Sequence, residues 1–216
     1  MRLSTLTALV TMAAATGACT HDRQGPVIGH FQDFSVTPPT GSLVHVCHSY
    51  GCRMQTPVRF NEPQLAEIRT LMTKTRKADT PEEERRAVAY AVGWIERYVG
   101  EKVGTKSDRA GMDFSASGDP TQQDCVDEAT NTTSYMLMLE KNGLLKHHTV
   151  GTPFAKEDYT RGVAGWTHWT GVLKVNGTGQ RYAVDSWIYE NGENPAIVEA
   201  EKWYVDSLAE LPAATR

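Results

Sequence analysis

Three side chains in the second half of the chain have the chemistry needed to move an acyl group: Cys125, His168 and Asp185. A thiolate attacks a carbonyl carbon. An imidazole takes the thiol proton and later returns it to a leaving amine, and a carboxylate fixes the imidazole tautomer and stabilises its protonated form. Cys125 lies in Gln122-Gln123-Asp124-Cys125-Val126-Asp127-Glu128-Ala129, at the first turn of an expected helix. Unpaired backbone N–H groups and the positive end of the helix dipole favour an anion there. The acidic neighbours Asp124, Asp127 and Glu128 raise the thiol pKa, so an imidazolium close by is needed to keep the cysteine ionised at neutral pH. The bland reading of one unpaired cysteine is a buried thiol packing as a small hydrophobe.

His168 and Asp185 belong to two strand-like runs, Trp166 to Val175 and Gln180 to Ile188, joined by Asn176-Gly177-Thr178-Gly179, a hairpin loop. If Val175 pairs with Gln180, His168 comes opposite position 187. Asp185 then lies two residues off on the same side of the pleat, close enough to share a hydrogen bond. Each residue taken singly also has an ordinary structural reading, the histidine as a satisfied strand residue and the aspartate as a turn or edge group. Their joint placement makes a site.

The elements that must position them follow from periodicity and caps. Leu43 to Cys47 has strand composition, and a second extended run is expected near Pro57 to Phe60. Leu65, Ile68, Leu71 and Met72 have helical spacing. Thr80-Pro81-Glu82-Glu83 supplies an N-cap hydroxyl, a proline at the first helical position and a capping-box glutamate. The apolar face Val88, Ala91, Val92, Ile95 and Val99 then runs to Gly100, with Glu84, Arg85 and Glu96 expected on a solvated side. Residues 101–121 read as a long surface loop of the kind that often carries function. The helix opening near Asp124 should end at Lys141, before Asn142-Gly143. Strands follow, beginning with Lys146 to Val150, and a short helix closes the chain near Ala200 to Leu208. Helices first and antiparallel strands afterwards indicate an α+β domain.

With 216 residues the chain has room for one core, and a net charge of -4 with no Lys/Arg-rich run excludes a nucleic-acid partner. Arg2, the uncharged stretch Leu3 to Thr16 and the end Thr16-Gly17-Ala18-Cys19 have the layout of an export signal too short to span a bilayer. The small residues before Cys19 resemble the bacterial lipobox, which implies a lipidated Cys19 at the mature N-terminus, a membrane held through that lipid, and an envelope protein facing the periplasm. Thr16 stands where a lipobox usually has leucine, and a plain secretory signal is the alternative. The expected division is therefore a signal over residues 1–18, a lipidated N-terminus and Pro/Gly-rich tether over 19–42, and a domain over 43–216. In an oxidising compartment Cys47 and Cys52, flanking Gly51, are expected to close a disulfide loop. The rival readings are free thiols and a metal held with His45 and His48, whose spacing fits no common zinc pattern, so no metal or cofactor is assigned. His147 and His148 read as strand-surface imidazoles. Asn131-Thr132-Thr133 and Asn176-Gly177-Thr178 fit the glycosylation sequon, which a bacterial lipoprotein ordinarily leaves unmodified.

The order Cys125, Thr167-His168-Trp169 and Tyr182-Ala183-Val184-Asp185-Ser186-Trp187 resembles the transglutaminase-like superfamily. It is also similar to a group of proteobacterial proteins with Asp-Cys-(Val/Ile)-Asp-Glu and Val-Asp-Ser-Trp segments, a likeness that reaches back to Val46-Cys47-His48-Ser49-Tyr50-Gly51-Cys52. The resemblance implies helices packed on an antiparallel sheet in a papain-like core, and acyl transfer through a thioester on a peptide or peptidoglycan-like amide. Val126 after the cysteine and Asp124 before it depart from transglutaminases proper. That departure leaves the oxyanion hole unassigned: the Cys125 N–H is one candidate donor, and Gln123 or Gln122, the side-chain type that papain-like enzymes use, is the other, with a surface glutamine the equally ordinary reading. A non-catalytic envelope protein that keeps the fold as a binding or scaffold module is the second function class.

Overall fold

The computed structural model describes residues 25–156, 167–207 and 211. Its element order begins with a short helix α1 (Ile28–Asp33) and a hairpin of β1 (Leu43–His48) and β2 (Met54–Arg59). Helices α2 (Glu62–Thr75), α3 (Pro81–Val103) and α4 (Cys125–Lys141) follow. The remainder is β3 (His148–Lys156), β4 (His168–Val175), β5 (Arg181–Asp185), β6 (Ala196–Glu199) and α5 (Ala200–Val205). The four later strands form one antiparallel sheet in chain order, and β1 with β2 forms a separate two-stranded sheet. The architecture is α+β.

Helix α4 is the axis of the molecule. It packs against β4 and β3 on one side, β1 on another and α3 on a third. It is therefore buried nearly all round, including Thr130, Asn131, Thr132, Thr133 and Ser134. A helix so enclosed must spend its polar groups inside. Thr133 donates to the Ala129 carbonyl at 2.6 Å, and Asn131 grips the backbone of Cys47, accepting its N–H at 2.7 Å and donating to its carbonyl at 2.8 Å. The sequon at Asn131 is thus a buried structural contact. Close approach of α4 to β4 depends on Gly171, where a Cβ would come within 3.0 Å of Met136 Cε and 3.3 Å of Thr132 Cγ2.

Caps set the helix starts. Thr80 accepts from the Glu83 N–H at α3, but the Glu83 carboxylate turns to the Lys77 N–H and to Arg86 instead of completing a capping box. Asp124 caps α4, accepting from Val126 and Asp127 N–H, and Asp127 returns the bond to the Asp124 N–H. The hairpin register is the one anticipated, with Gly171 opposite Val184 and Lys174 opposite Arg181.

Four expectations need correction. The segment read as tether contains α1, whose His30 and Phe31 are buried, so the folded domain begins well before residue 43. Glu84 and Glu96 do not face solvent: both are buried, because α2, α4 and the sheet close over that side of α3. His148 is likewise buried against Glu84, with Nδ1 at 3.0 Å from Oε1. β6 was not anticipated at all, since its four residues carry no alternation of their own and pair only because β5 offers a free edge. Residues 1–24, with the export signal and Cys19, lie outside the described residues.

Candidate functional site

Cys125, His168 and Asp185 stand at three element ends that converge on one place. Cys125 opens α4, His168 opens β4 and Asp185 closes β5, and all three are buried. The His168 ring Nε2 lies 2.7 Å from Asp185 Oδ2. Against an ionised carboxylate, which only accepts, Nε2 is the donor of this bond. Nδ1 is buried without a hydrogen-bond partner. The Cys125 thiol meets the chain at the start of β4. It donates to the Thr167 carbonyl at 3.5 Å, and the Trp169 backbone N–H points to the sulfur, so the thiol lies against the chain on both sides of His168.

The sulfur is poorly placed to ionise alone. Burial pushes the Cys125 thiol up to about 12, with the charges of Asp124, Asp185 and Asp127 adding to the rise and the Trp169 N–H opposing it. Aromatic walls enclose the imidazole. The ring centroids of Trp187 and Trp203 lie 4.5 and 5.3 Å from that of His168, each tilted by just under 40° (38° and 37°). Trp203 also donates its indole N–H to Asp185 Oδ2 at 2.8 Å.

Beneath the site lies a group of acids that the sequence reading did not assemble. Glu128 accepts from the Ser186 hydroxyl at 2.6 Å, and Ser186 in turn meets the Thr132 hydroxyl at 3.0 Å. Glu96 accepts the Gly192 N–H, and Asp108 accepts the Gln123 N–H at 2.7 Å. Burial first, and mutual repulsion second, raise the Glu96 carboxyl well above its usual range, Asp108 to about 8. For Glu128, burial leads and the nearby Asp185 and Asp124 charges add, carrying it to about 7. A signal for Glu96 did exist: it falls one turn after Val92 and three residues before Val99, on the apolar face of α3 rather than opposite it.

The β1–β2 turn braces the start of α4. Cys47 and Cys52 are joined as a disulfide with Cα atoms 4.5 Å apart, so neither offers a thiolate to a metal. Ser49, Tyr50, Gly51 and Cys52 all have φ between 55° and 73°. Four left-handed residues in succession are held by partners: Asp127 accepts from the Tyr50 and Cys52 N–H groups at 2.8 and 2.6 Å, and the Gln122 carbonyl accepts from Ser49 at 2.9 Å.

This bracing decides the glutamines. Gln122 spends its side-chain N–H groups on the Ser107 and Thr121 carbonyls at 3.0 and 3.1 Å and accepts from the Arg109 N–H, so it is not offered to a substrate. Gln123 donates to the Cys47 carbonyl at 3.0 Å, which makes it a tie between the disulfide turn and the helix start. In the first turn of α4, the Val126 and Asp127 N–H groups are taken by the Asp124 side chain and that of Glu128 by the Asp124 carbonyl. The N–H of Cys125 is the donor the cap does not consume.

No family model, no curated protein and no solved structure matches the chain.

Proposed function

We propose that the chain is a thiol-dependent acyl-transfer enzyme of transglutaminase-like kind, with Cys125 as nucleophile, His168 as acid and base, and Asp185 as the group that orients the imidazole. The observation that carries this reading is the His168 ring, tied at Nε2 to Asp185 with a buried, unpartnered Nδ1, on the strand end against which the Cys125 thiol lies. In the reaction the thiol proton passes to Nδ1 as sulfur attacks the amide carbonyl carbon. The C–N bond then breaks and Nδ1–H delivers that proton to the leaving nitrogen, which leaves a thioester. Water attacks the thioester for hydrolysis, or a second amine for cross-linking. Its proton goes to Nδ1 and then to the departing sulfur, which restores the thiol. The Cys125 backbone N–H supplies the oxyanion donor.

A peptide or peptidoglycan-like amide is the substrate class, and the cell envelope the place of action. The Cys47–Cys52 disulfide supports an oxidising compartment, where such bonds persist. The lipid anchor at Cys19 rests on the sequence alone. One observation favours the non-catalytic scaffold as a second reading: the Cys125 thiol is buried and pushed up to about 12, which is the condition of an inert structural cysteine. An electrophilic thiol probe separates the two. At pH 7 iodoacetamide should modify Cys125, located by mass spectrometry, and His168→Ala should slow that modification by roughly 100-fold or more. Equal, slow labelling of both proteins would favour the scaffold.

A further inference from the structure

We infer that Trp203 is a positioning residue of this site, holding Asp185 so that its carboxylate keeps the His168 imidazole in place. The inference rests on the acyl-transfer reading and adds a fourth residue from a part of the chain, α5, that the three-residue reading leaves out. Asp185 Oδ2 accepts two donors, His168 Nε2 at 2.7 Å and Trp203 Nε1 at 2.8 Å, while Oδ1 is buried with none. A carboxylate held at one oxygen by the imidazole alone could turn about its Cβ–Cγ bond. With the indole on the same oxygen, turning would leave a buried N–H unpaired, which opposes the motion. Trp203 is fully buried, so water cannot replace the lost partner.

The indole is itself fixed from three directions. Its ring lies on the His168 ring, and the Phe154 ring meets it edge-on, with centroids 5.2 Å apart at 79°. From β3, Lys156 sets its ammonium 4.4 Å over the same ring and donates to the carbonyls of Trp203 and Asp206 at 3.0 and 3.1 Å. Lys156 is also the register partner of His168. β6 pairs Ala196 with Asp185 and runs directly into α5, so the strand beside the acid delivers the indole that holds it. Trp187 offers no such bond. Its ring centroid lies 4.5 Å from that of His168, but its indole nitrogen is buried without a partner.

A tryptophan that only filled the core against Phe154, Val172 and Ala183 would act the same way whatever stood at position 185. A double-mutant cycle on the rate of Cys125 alkylation at pH 7 tests the difference. Trp203→Phe keeps a ring and removes the donor; it should slow alkylation by roughly 10- to 100-fold in the parent protein and by less than about twofold in Asp185→Ala. Equal slowing in both backgrounds, or none in either, overturns the inference. If His168→Ala leaves alkylation of the parent unchanged, the acyl-transfer reading itself has failed. If His168→Ala slows it and Trp203→Phe does not, only the role of Trp203 has failed. Should Trp203→Phe not fold, the full chain with ¹⁵N-labelled tryptophan gives a second measurement. One of its five indole N–H signals must resist exchange with deuterium and shift in Asp185→Asn. Five signals unmoved by Asp185→Asn overturn the inference.

Discussion

A thiol serves acyl transfer only as its anion, and Cys125 sits where local forces disagree about that anion. The helix start and the Trp169 N–H favour it, while burial and the surrounding carboxylates oppose it and carry the thiol to about 12. The pH profile of alkylation shows which group relieves the conflict. With no base, the rate should climb about tenfold per pH unit through pH 10, because the thiolate fraction does. With His168 taking the proton, the rate should level off instead of climbing on. We therefore expect a plateau in the unsubstituted protein and an unbroken climb in His168→Ala, measured by stopped alkylation across pH 5 to 10. The placement of Cys125 was legible because helix caps are local: Asp124 and Asp127 sit beside it in sequence and make the turn. The fate of Gln122 was not, since its partners, Ser107 and Arg109, are fixed by how the preceding loop folds back.

At the scale of elements, α3 is fastened to β3 through one carboxylate. Glu84 Oε1 accepts the His147 and His148 N–H groups at 2.9 and 3.1 Å, and Oε2 accepts the Lys146 N–H at 2.8 Å beside the Arg76 guanidinium at 2.9 Å. Burial by itself raises this carboxyl, but the donors from His148, Lys146 and His147 outweigh it and hold it below its usual range. Removing it strands three backbone donors and a cation. Glu84→Ala should destabilise the fold by about 3–5 kcal/mol, read from the urea midpoint, with Glu84→Gln costing less because the amide oxygen still accepts. A loss under about 1 kcal/mol would show that water replaces the carboxylate. The spacing of α3 predicted its length and apolar face well, since both are written in residues three and four apart. It did not predict that Glu84 is covered, because a helix pattern cannot say how many neighbours will enclose it, whereas Glu96 falls on the apolar face that the spacing itself marks. The hairpin β4–β5 was readable down to its register, as Asn176 to Gly179 fixes the turn and the turn fixes the pairing.

At the scale of the whole molecule, burial raises several carboxyls above their usual range, Asp127 among them, and three of these gather in one group. Glu96, Asp108 and Glu128 approach one another from α3, from the loop after it and from α4, with Asp185 of β5 and Asp124 at the head of α4 adding charge and Tyr135 close by. A carboxyl whose folded pKa is raised gives stability that is complete below its unfolded value and is lost as pH rises through the folded one. For Glu128 the window runs from 4.5 to about 7, and for Asp108 from 3.8 to about 8. Thermal unfolding temperatures should therefore fall between pH 5 and pH 8.5, and Glu128→Gln should flatten that fall, recovering on the order of 3 kcal/mol at the alkaline end. A parent protein equally stable at both ends would rule this out. Glu84 works the other way, its contribution fading only as pH drops below the carboxylate range. None of this long-range grouping was legible in the sequence. Glu96, Asp108 and Glu128 are spaced through three elements, and only the burial of α4 between both sheets brings them together.

The imidazole at 168 lies against two indoles, and that contact has an optical side. Excited indole gives up an electron readily to a protonated imidazole and poorly to a neutral one. On the proposed mechanism, emission from Trp187 and Trp203 should then dim when the proton of Cys125 moves to His168 and brighten when it departs. A molecule working by that mechanism carries its own gauge of where the proton is, readable by fluorescence with no dye, no substrate and no turnover.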